Sequence, residues 1–212
     1  MTNVLVVKGN NRPDGISTKM FETFVSESSK FEGLNVKVFD VFEANMPYFG
    51  QDLYNAYGKA QTGEAMKLIE SASLEAVRKC RDALDGADVV VYAFPLWNQT
   101  IPAAMLSFID YTYAPGYSFR YNENGQLESL LTHKKYIVLN ARGGYYSSPE
   151  ANAGEMCVNF INKVVGQIFG MQKFDEIIIE GHNADSARSD EIISTGLGKV
   201  VETVHKLAKE SA

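Results

Sequence analysis

Three short stretches of this chain carry side chains and backbone suited to gripping a ligand. The first is Lys8-Gly9-Asn10-Asn11-Arg12-Pro13-Asp14-Gly15-Ile16-Ser17-Thr18. It is neither Gly-x-Gly-x-x-Gly nor a Walker A motif, but it places two hydroxyls where a helix should begin. Free N–H groups and the positive end of the helix dipole make such a place an anion site. Plain capping of the helix by Ser17 accounts for the same residues; the position after the first apolar run favours phosphate. The second stretch is Phe94-Pro95-Leu96-Trp97-Asn98-Gln99-Thr100-Ile101-Pro102, which holds the single Trp between two prolines that stiffen the backbone. A rigid loop with an aromatic and an amide suits a flat heteroaromatic ring, and a core role for Trp97 is an even alternative. The third is Asn140-Ala141-Arg142-Gly143-Gly144-Tyr145-Tyr146. Its two glycines let backbone approach a ligand and offer N–H groups to an anionic edge; a tight Gly-Gly turn is a frequent alternative, but the adjoining Tyr pair makes a turn alone the less economical reading.

Other candidates for chemistry are weak. His133, His182 and His205 have no metal-ligand spacing with each other or with Cys, so no metal is expected. His205, Lys134 and Lys135 read as solvated. Asp14, Asp110 and Asp185 form no acid–base pair, and there is no Gly-x-Ser-x-Gly elbow and no Cys/His constellation.

The elements that must position these loops show in the hydrophobic pattern. Short apolar runs, rich in β-branched and aromatic residues, occur at Val4–Val7, Val36–Phe39, Val89–Phe94, Tyr136–Leu139 and Ile177–Ile179. Strands buried on both faces read this way, and Lys37 marks the second as the edge. Between them, Thr18–Ser29, Glu64–Leu84, Pro102–Tyr111, Glu155–Phe169 and Asp190–Lys209 have helical period. In the second of these, Ala65, Leu68, Ile69, Ala72, Val77, Cys80 and Leu84 are expected to point inward. The alternation predicts βαβ units, right-handed crossovers and a parallel sheet. The expectation is an α/β, flavodoxin-like, doubly wound five-stranded parallel sheet with helices on both faces, in a single domain over residues 1–212.

Two segments break the rhythm. Residues 41–63 form an aromatic excursion carrying Met46, Pro47, Tyr48, Phe49, Tyr54 and Tyr57, which should cover a ligand or a partner. Residues 115–131 alternate Tyr117, Phe119 and Tyr121 before Asn124-Gly125, the pattern of a hairpin.

Composition sets the outer bounds. The chain has 212 residues, 22% of them charged, and a formal net charge of −6. So acidic a protein has no global electrostatic reason to bind nucleic acid. Two cysteines, Cys80 and Cys157, cannot make a disulfide framework and read as buried thiols in a reducing compartment. No signal peptide is expected from the opening residues, and no apolar run nears the roughly 20 residues of a membrane span. A cytoplasmic protein without membrane contact is expected.

The three loops leave the first, third and fourth strands, which are neighbours in a flavodoxin-like order. One phosphate site with one large ring site is what a mononucleotide such as FMN requires, whereas a dinucleotide would want the missing glycine fingerprint.

Phe94-Pro95-Leu96-Trp97-Asn98, Phe119-Arg120-Tyr121-Asn122-Glu123-Asn124-Gly125 and Asn140-Ala141-Arg142-Gly143-Gly144, in that order and spacing, resemble hallmark segments of the FMN-dependent NADH-azoreductases, also called FMN-dependent NADH:quinone oxidoreductases. Val4–Lys8 with Ser17-Thr18, and Glu180-Gly181-His182-Asn183, fit the same pattern. The likeness runs from about residue 3 to the last helix. It implies a homodimer with one FMN per subunit near the interface. It also implies a ping-pong cycle in which NADH, or alternatively NADPH, gives a hydride to N5 and a quinone or azo compound then takes two electrons. By that likeness Asn10, Ser17, Thr18 and Lys19 hold the phosphate. Pro95, Leu96, Trp97, Asn98 and Gln99, with Ala141, Arg142, Gly143 and Gly144, hold the ring. Phe119, Tyr121, Tyr54 and Tyr57 wall the substrate cavity. Tyr145 and Tyr146 are candidate proton donors, and no side chain is an essential acid. Asn10 stands where many relatives carry Ser, Trp97 where some carry Tyr, and Gln99 where many carry Phe. Two other readings remain for a flavin domain: an electron carrier, and a flavin-binding sensor without NADH turnover.

Overall fold

The computed structural model describes residues 1–211, apart from the side chain of Ala153. Strand β1 (Thr2–Lys8) is followed by α1 (Ile16–Ser28), β2 (Leu34–Asp40), α2 (Gln51–Thr62), α3 (Leu68–Asp85), β3 (Val89–Pro95) and α4 (Ala103–Thr112). The chain continues through β4 (Phe119–Tyr121), β5 (Leu127–Ser129), β6 (Lys135–Arg142), α5 (Pro149–Ala153), α6 (Val158–Ile161), β7 (Gln172–Glu180) and α7 (Ser189–Glu210). Five parallel strands pair in the order β2-β1-β3-β6-β7, while β4 and β5 form a separate antiparallel hairpin.

The apolar runs lie where both faces of the sheet are covered. Along β1, Val4 and Val6 pack with Met20 and Phe24 of α1 and with Val200 and Val204 of α7. Leu5 and Val7 face the opposite layer, which holds Cys80 and Leu84 of α3 and Phe108 of α4. Strand β3 is buried at every position. β2 is an edge strand, as Lys37 predicts. Gly125 (φ +73°) closes the hairpin turn, where only a residue at ease in the left-handed region fits without cost. Among the described residues no helix is long and apolar enough to cross a membrane, and no group of side chains has metal-ligand geometry. Cys80 and Cys157 are free and buried, and burial pushes the Cys80 thiol up to about 12.

Several expectations are corrected. The aromatic excursion contains a helix, α2, which stops at Gly63 in the left-handed conformation. The following helix starts at Leu68, and Ala65, Leu68, Ile69 and Ala72 face solvent. The inward residues of α3 are Glu70, Ser73, Ala76, Val77, Cys80 and Leu84. The cause is Glu70: its carboxylate caps the Lys67 N–H and accepts from Lys59 Nζ at 2.7 Å, so the first turn is fixed by a polar anchor instead of its leucine. The single helix expected over 155–169 is replaced by α6 and π-helical turns over 162–168, with the short α5 lying before it. Glu155 accepts from the N–H groups of Cys157, Val158 and Asn159, which makes a fresh start for α6. Lys134 is buried, not solvated, because its ammonium donates to the carbonyls of Asp85 and Ala87 where α3 ends.

Candidate functional site

The loop after β1 is pinned to β3 by Gly9 N–H donating to Ala93 O at 2.8 Å. Asn10 is buried there. Its carbonyl accepts from Arg12 N–H at 3.0 Å and its amide donates to Ser17 Oγ at 2.7 Å. Ser17 thus accepts from inside the protein and keeps its own proton to give. A Cβ at Gly15 would lie 2.3 Å from Asn10 Nδ2, so only glycine permits this approach. Gly15 is the residue before α1, and the first helical bond runs from Lys19 N–H to Gly15 O. The N–H groups of Ile16, Ser17 and Thr18 therefore emerge at the helix end. Thr18 commits its hydroxyl to Arg12 O at 2.7 Å, and Lys19 is exposed with its N–H already engaged.

The loop after β3 is held to β6 by Leu96 N–H donating to Ala141 O at 2.9 Å. Trp97 and Thr100 exchange both backbone bonds, at 3.1 and 3.0 Å, around Asn98 (φ +51°) and Gln99 (φ +69°). This is a two-residue turn with both central residues left-handed. Such conformations cost on the order of 1–3 kcal/mol each outside glycine and persist where the surroundings impose them. Trp97 is half-buried and lies near Phe42, ring centroids 6.3 Å apart, so it is not a core residue.

After β6, Gly143 approaches Asn183 so closely that a Cβ would sit 2.4 Å from Asn183 Nδ2. Arg142 points inward instead of toward this opening. Its Nε donates to Glu180 at 3.0 Å, and its guanidinium stands 3.8 Å from the Glu155 carboxylate. Glu180 also accepts from Tyr146 N–H at 2.9 Å. Burial pushes the Glu180 carboxyl up, but bonds from Ser147 and Tyr146 N–H and the Arg142 charge outweigh it and hold it below its ordinary range. The Tyr146 hydroxyl accepts from Gln99 Nε2 at 3.3 Å, which ties the second loop to the third. Tyr145 packs directly on Gly181, whose φ of +84° and lack of a side chain make room for the ring.

A hollow of about 170 Å³ lies where these loops meet. Asn10, Arg12, Gly15, Ile16 and Ser17 line one end; Pro95, Leu96, Trp97, Ala141 and Gly143 line the other. His182 and Asn183, from the loop after β7, complete it. His182 Nδ1 is buried without a partner, and burial lowers the imidazole below its ordinary value, so the ring is neutral near pH 7. Thr18, Lys19, Asn98, Gln99, Arg142 and Gly144 do not reach the hollow. Asn98 faces a larger cleft of about 640 Å³ on the other side of Trp97, with Phe42, Met46 and the start of α4. Tyr54, Tyr57, Phe119 and Tyr121 do come together, around a third cavity of about 490 Å³ that shares no lining residue with the hollow.

Residues 2–204 match the model of a family with a flavodoxin-like fold. FMN-dependent NADH:quinone oxidoreductase 4 of Bacillus anthracis is 36% identical over 209 residues, covering 97% of this chain and all of its own length. FMN-dependent NADH:quinone oxidoreductase 1 of Bacillus subtilis (strain 168) is 37% identical over 210 residues, with the same coverage. The crystal structure of an azoreductase from Bacillus anthracis str. Sterne superposes with a TM-score of 0.87 at 36% identity, over 97% of this chain and 100% of that one. The chain belongs to this family of oxidoreductases.

In this family member His182 and Asn183 are the cavity residues that sequence reasoning missed as a site. The available signal was positional: they leave the carboxyl end of a fifth parallel strand, the edge where ligands of open α/β sheets sit. Gly15 and Arg12 were hidden for another reason. Their place depends on how Asn10 folds the loop, which spacing alone does not specify.

Proposed function

We propose that the protein is an FMN-dependent NADH:quinone oxidoreductase that also cleaves azo bonds, acting as a homodimer with one FMN per subunit. The observation that carries this reading is the set of uncommitted polar groups around the hollow: the Ser17 proton, the first-turn N–H groups of α1 and the orphaned His182 Nδ1. A buried polar atom left unpaired is costly, and a bound mononucleotide would satisfy these groups together. The fit is specific at the anionic end. Helix N–H groups and a hydroxyl donor suit a phosphate, Arg12 being held by Asp14 at 3.0 Å, and Ser17 receives its hydrogen bond from within so that it faces the ligand as a donor.

The hollow is smaller than the roughly 300–1,000 Å³ typical of small-molecule sites. Trp97 is its common wall with the larger cleft, so the ring system is assigned to Pro95, Leu96 and Trp97, with Asn98 on the cleft side and Gln99 lining neither space. Ala141 and Gly143, which line the hollow, would hold the ring's anionic edge, where N–H donors would favour the charge of the reduced state; Gly144 lies outside the lining. FMN, when bound, supplies hydride acceptance from NADH and donation to the acceptor at N5, in a ping-pong cycle. The chain supplies orientation. Arg142 acts at a distance, fixing the Gly143–Ser147 turn through Glu180. Tyr146, bonded to Gln99, and Tyr145 are the hydroxyls we assign as proton donors to product; neither lines the hollow. Tyr54, Tyr57, Phe119 and Tyr121 wall the acceptor site only if a second copy brings their cavity against a flavin.

The deciding experiment is an absorption spectrum of the purified protein followed by rapid mixing with NADH and with NADPH. Flavin bands that bleach on mixing and return with a quinone are expected. Quinones should turn over faster than azo dyes, because full azo cleavage takes two successive hydride transfers. Slow bleaching without a reductase partner would indicate an electron carrier. Bleaching without quinone turnover would indicate a sensor, and a colourless protein that FMN does not reconstitute would end the reading.

A further inference from the structure

The anion end of the hollow offers neutral donors but no uncommitted cation. Its donors are the Ser17 hydroxyl and the first-turn N–H groups of α1. Arg12 lines the space, yet its guanidinium is held by the Asp14 carboxylate at 3.0 Å. Lys8 is paired with Asp40 at 2.7 Å, and Arg142 is turned toward Glu155 and Glu180. Arg188 is bonded to Glu191 at 3.0 Å. Lys19 does not line the hollow. A phosphomonoester carries close to two negative charges near neutral pH. Enclosing it among neutral donors alone leaves that charge uncompensated, which is costly.

One lining side chain can gain a charge near that pH, and it is His182. Its Nδ1 is buried with no hydrogen-bond partner among the described residues. The loop that carries it is fixed. The N–H groups of Asn183 and Ala184 both donate to Gly143 O at 3.1 Å, Gly181 N–H donates to Gly144 O at 3.1 Å, and Asp185 N–H closes on Gly181 O at 2.8 Å. Burial lowers the imidazole below its ordinary value, and no charged neighbour offsets that. The titratable groups on adjoining elements are committed elsewhere: Arg12 to Asp14, Glu180 to Arg142, and Asp185 to Arg188 at 3.9 Å, while the Tyr145 ring packs on Gly181. An imidazole that desolvation alone keeps neutral gains a proton once a dianion shares its enclosure. As an imidazolium it can give that anion a charge-assisted hydrogen bond.

We propose that His182 is the counter-charge of the FMN phosphate, taking one proton from solvent as the cofactor binds. This deepens the flavin reading and rests on it. The consequence is a pH-dependent grip. Where free His182 is neutral and bound His182 is charged, each FMN draws a proton in, so affinity falls as pH rises.

The test is calorimetric titration of the full-length chain, freed of flavin, with FMN at pH 7.5 in two buffers of different ionisation heat. The difference in heat counts the protons exchanged. The parent should take up between about half and one proton per FMN, and its dissociation constant should rise roughly three- to tenfold from pH 7.5 to 8.5. Over that range the phosphate of free FMN is already a dianion and contributes no proton of its own. His182→Gln should exchange almost none, bind FMN about tenfold more weakly at pH 7.5 and lose the pH dependence. Riboflavin, which lacks the phosphate, should bind more weakly and without proton uptake. In the holoenzyme, flavin fluorescence released on dilution should be greater at pH 8.5 than at pH 7.5 for the parent and equal at the two for the variant.

FMN binding by the parent with no proton exchanged overturns the proposal, and that measurement stands even if His182→Gln does not fold. Equal uptake by parent and variant would assign the proton to another group, and equal uptake with riboflavin would assign the trigger to the ring; either result also overturns it. Binding without proton exchange defeats this inference alone, whereas a chain that binds no FMN defeats the flavin reading itself.

Discussion

Ser17 shows how a side chain is prepared for a ligand before the ligand arrives. Its oxygen is already engaged by Asn10, so the hydroxyl can point only outward as a donor. Ser17→Ala removes that donor and leaves the Asn10 amide short of an acceptor. Hydrogen bonds to charged groups contribute about 1.5–3 kcal/mol, so FMN affinity of the apoprotein should fall roughly tenfold to a hundredfold. Quenching of flavin fluorescence during titration measures it. Gln99 illustrates the opposite case, a residue held in a conformation it disfavours, at φ +69°. Gln99→Gly exchanges left-handed strain of about 1–2 kcal/mol for the smaller entropic cost of glycine. It should raise unfolding stability by about 0.5–1 kcal/mol in urea titration while loosening the tie to Tyr146.

At the level of elements, close contacts decide which substitutions the fold tolerates. Gly196 of α7 lies against β7 so that a Cβ would fall 2.3 Å from Ile179 Cγ1. Gly196→Val must push the helix off the sheet and should cost about 1–3 kcal/mol by thermal or urea unfolding. The strands were legible because burial on both faces leaves an uninterrupted apolar run, and Lys37 named the edge for the same reason. The helix starts were not legible. Leu68 and Ile69 look like core by period, yet a single carboxylate, Glu70, overrides them by taking the Lys67 N–H and the Lys59 ammonium. Site residues divide likewise. Ser17 and the glycine pair are visible as residue types at strand ends. The inward turn of Arg142 is not, because its partners Glu155 and Glu180 are distant in sequence and adjacent only after folding.

Across the whole molecule, carboxylates held below their ordinary range govern acid stability. Glu70 is lowered by its bonds to Lys59 and the Lys67 backbone, and Glu180 is lowered despite burial. A group whose folded value is depressed contributes stability that is present above its unfolded value and is lost as pH falls through the folded one. Urea unfolding should therefore weaken steadily below about pH 4.5, the ordinary value for these two carboxyls. In Glu70→Gln and Glu180→Gln that decline should be shallower, with the variants less stable than the parent at pH 7 and close to it at pH 3. A slope identical to the parent's would show that other carboxylates dominate.

The β4–β5 ribbon pairs only with itself and ends at an exposed Asn124-Gly125 tip. Such tips are where proteases cut and where insertions are accepted. A recognition sequence for a specific protease, spliced in at this point, would turn the molecule into a two-piece assembly on demand. Severing it should release Tyr121 and Phe119 while the central sheet and its four ligand-facing loops stay intact. The nicked form, compared by visible spectroscopy with the intact one, should keep its flavin bands, because no residue of the ribbon lines the hollow.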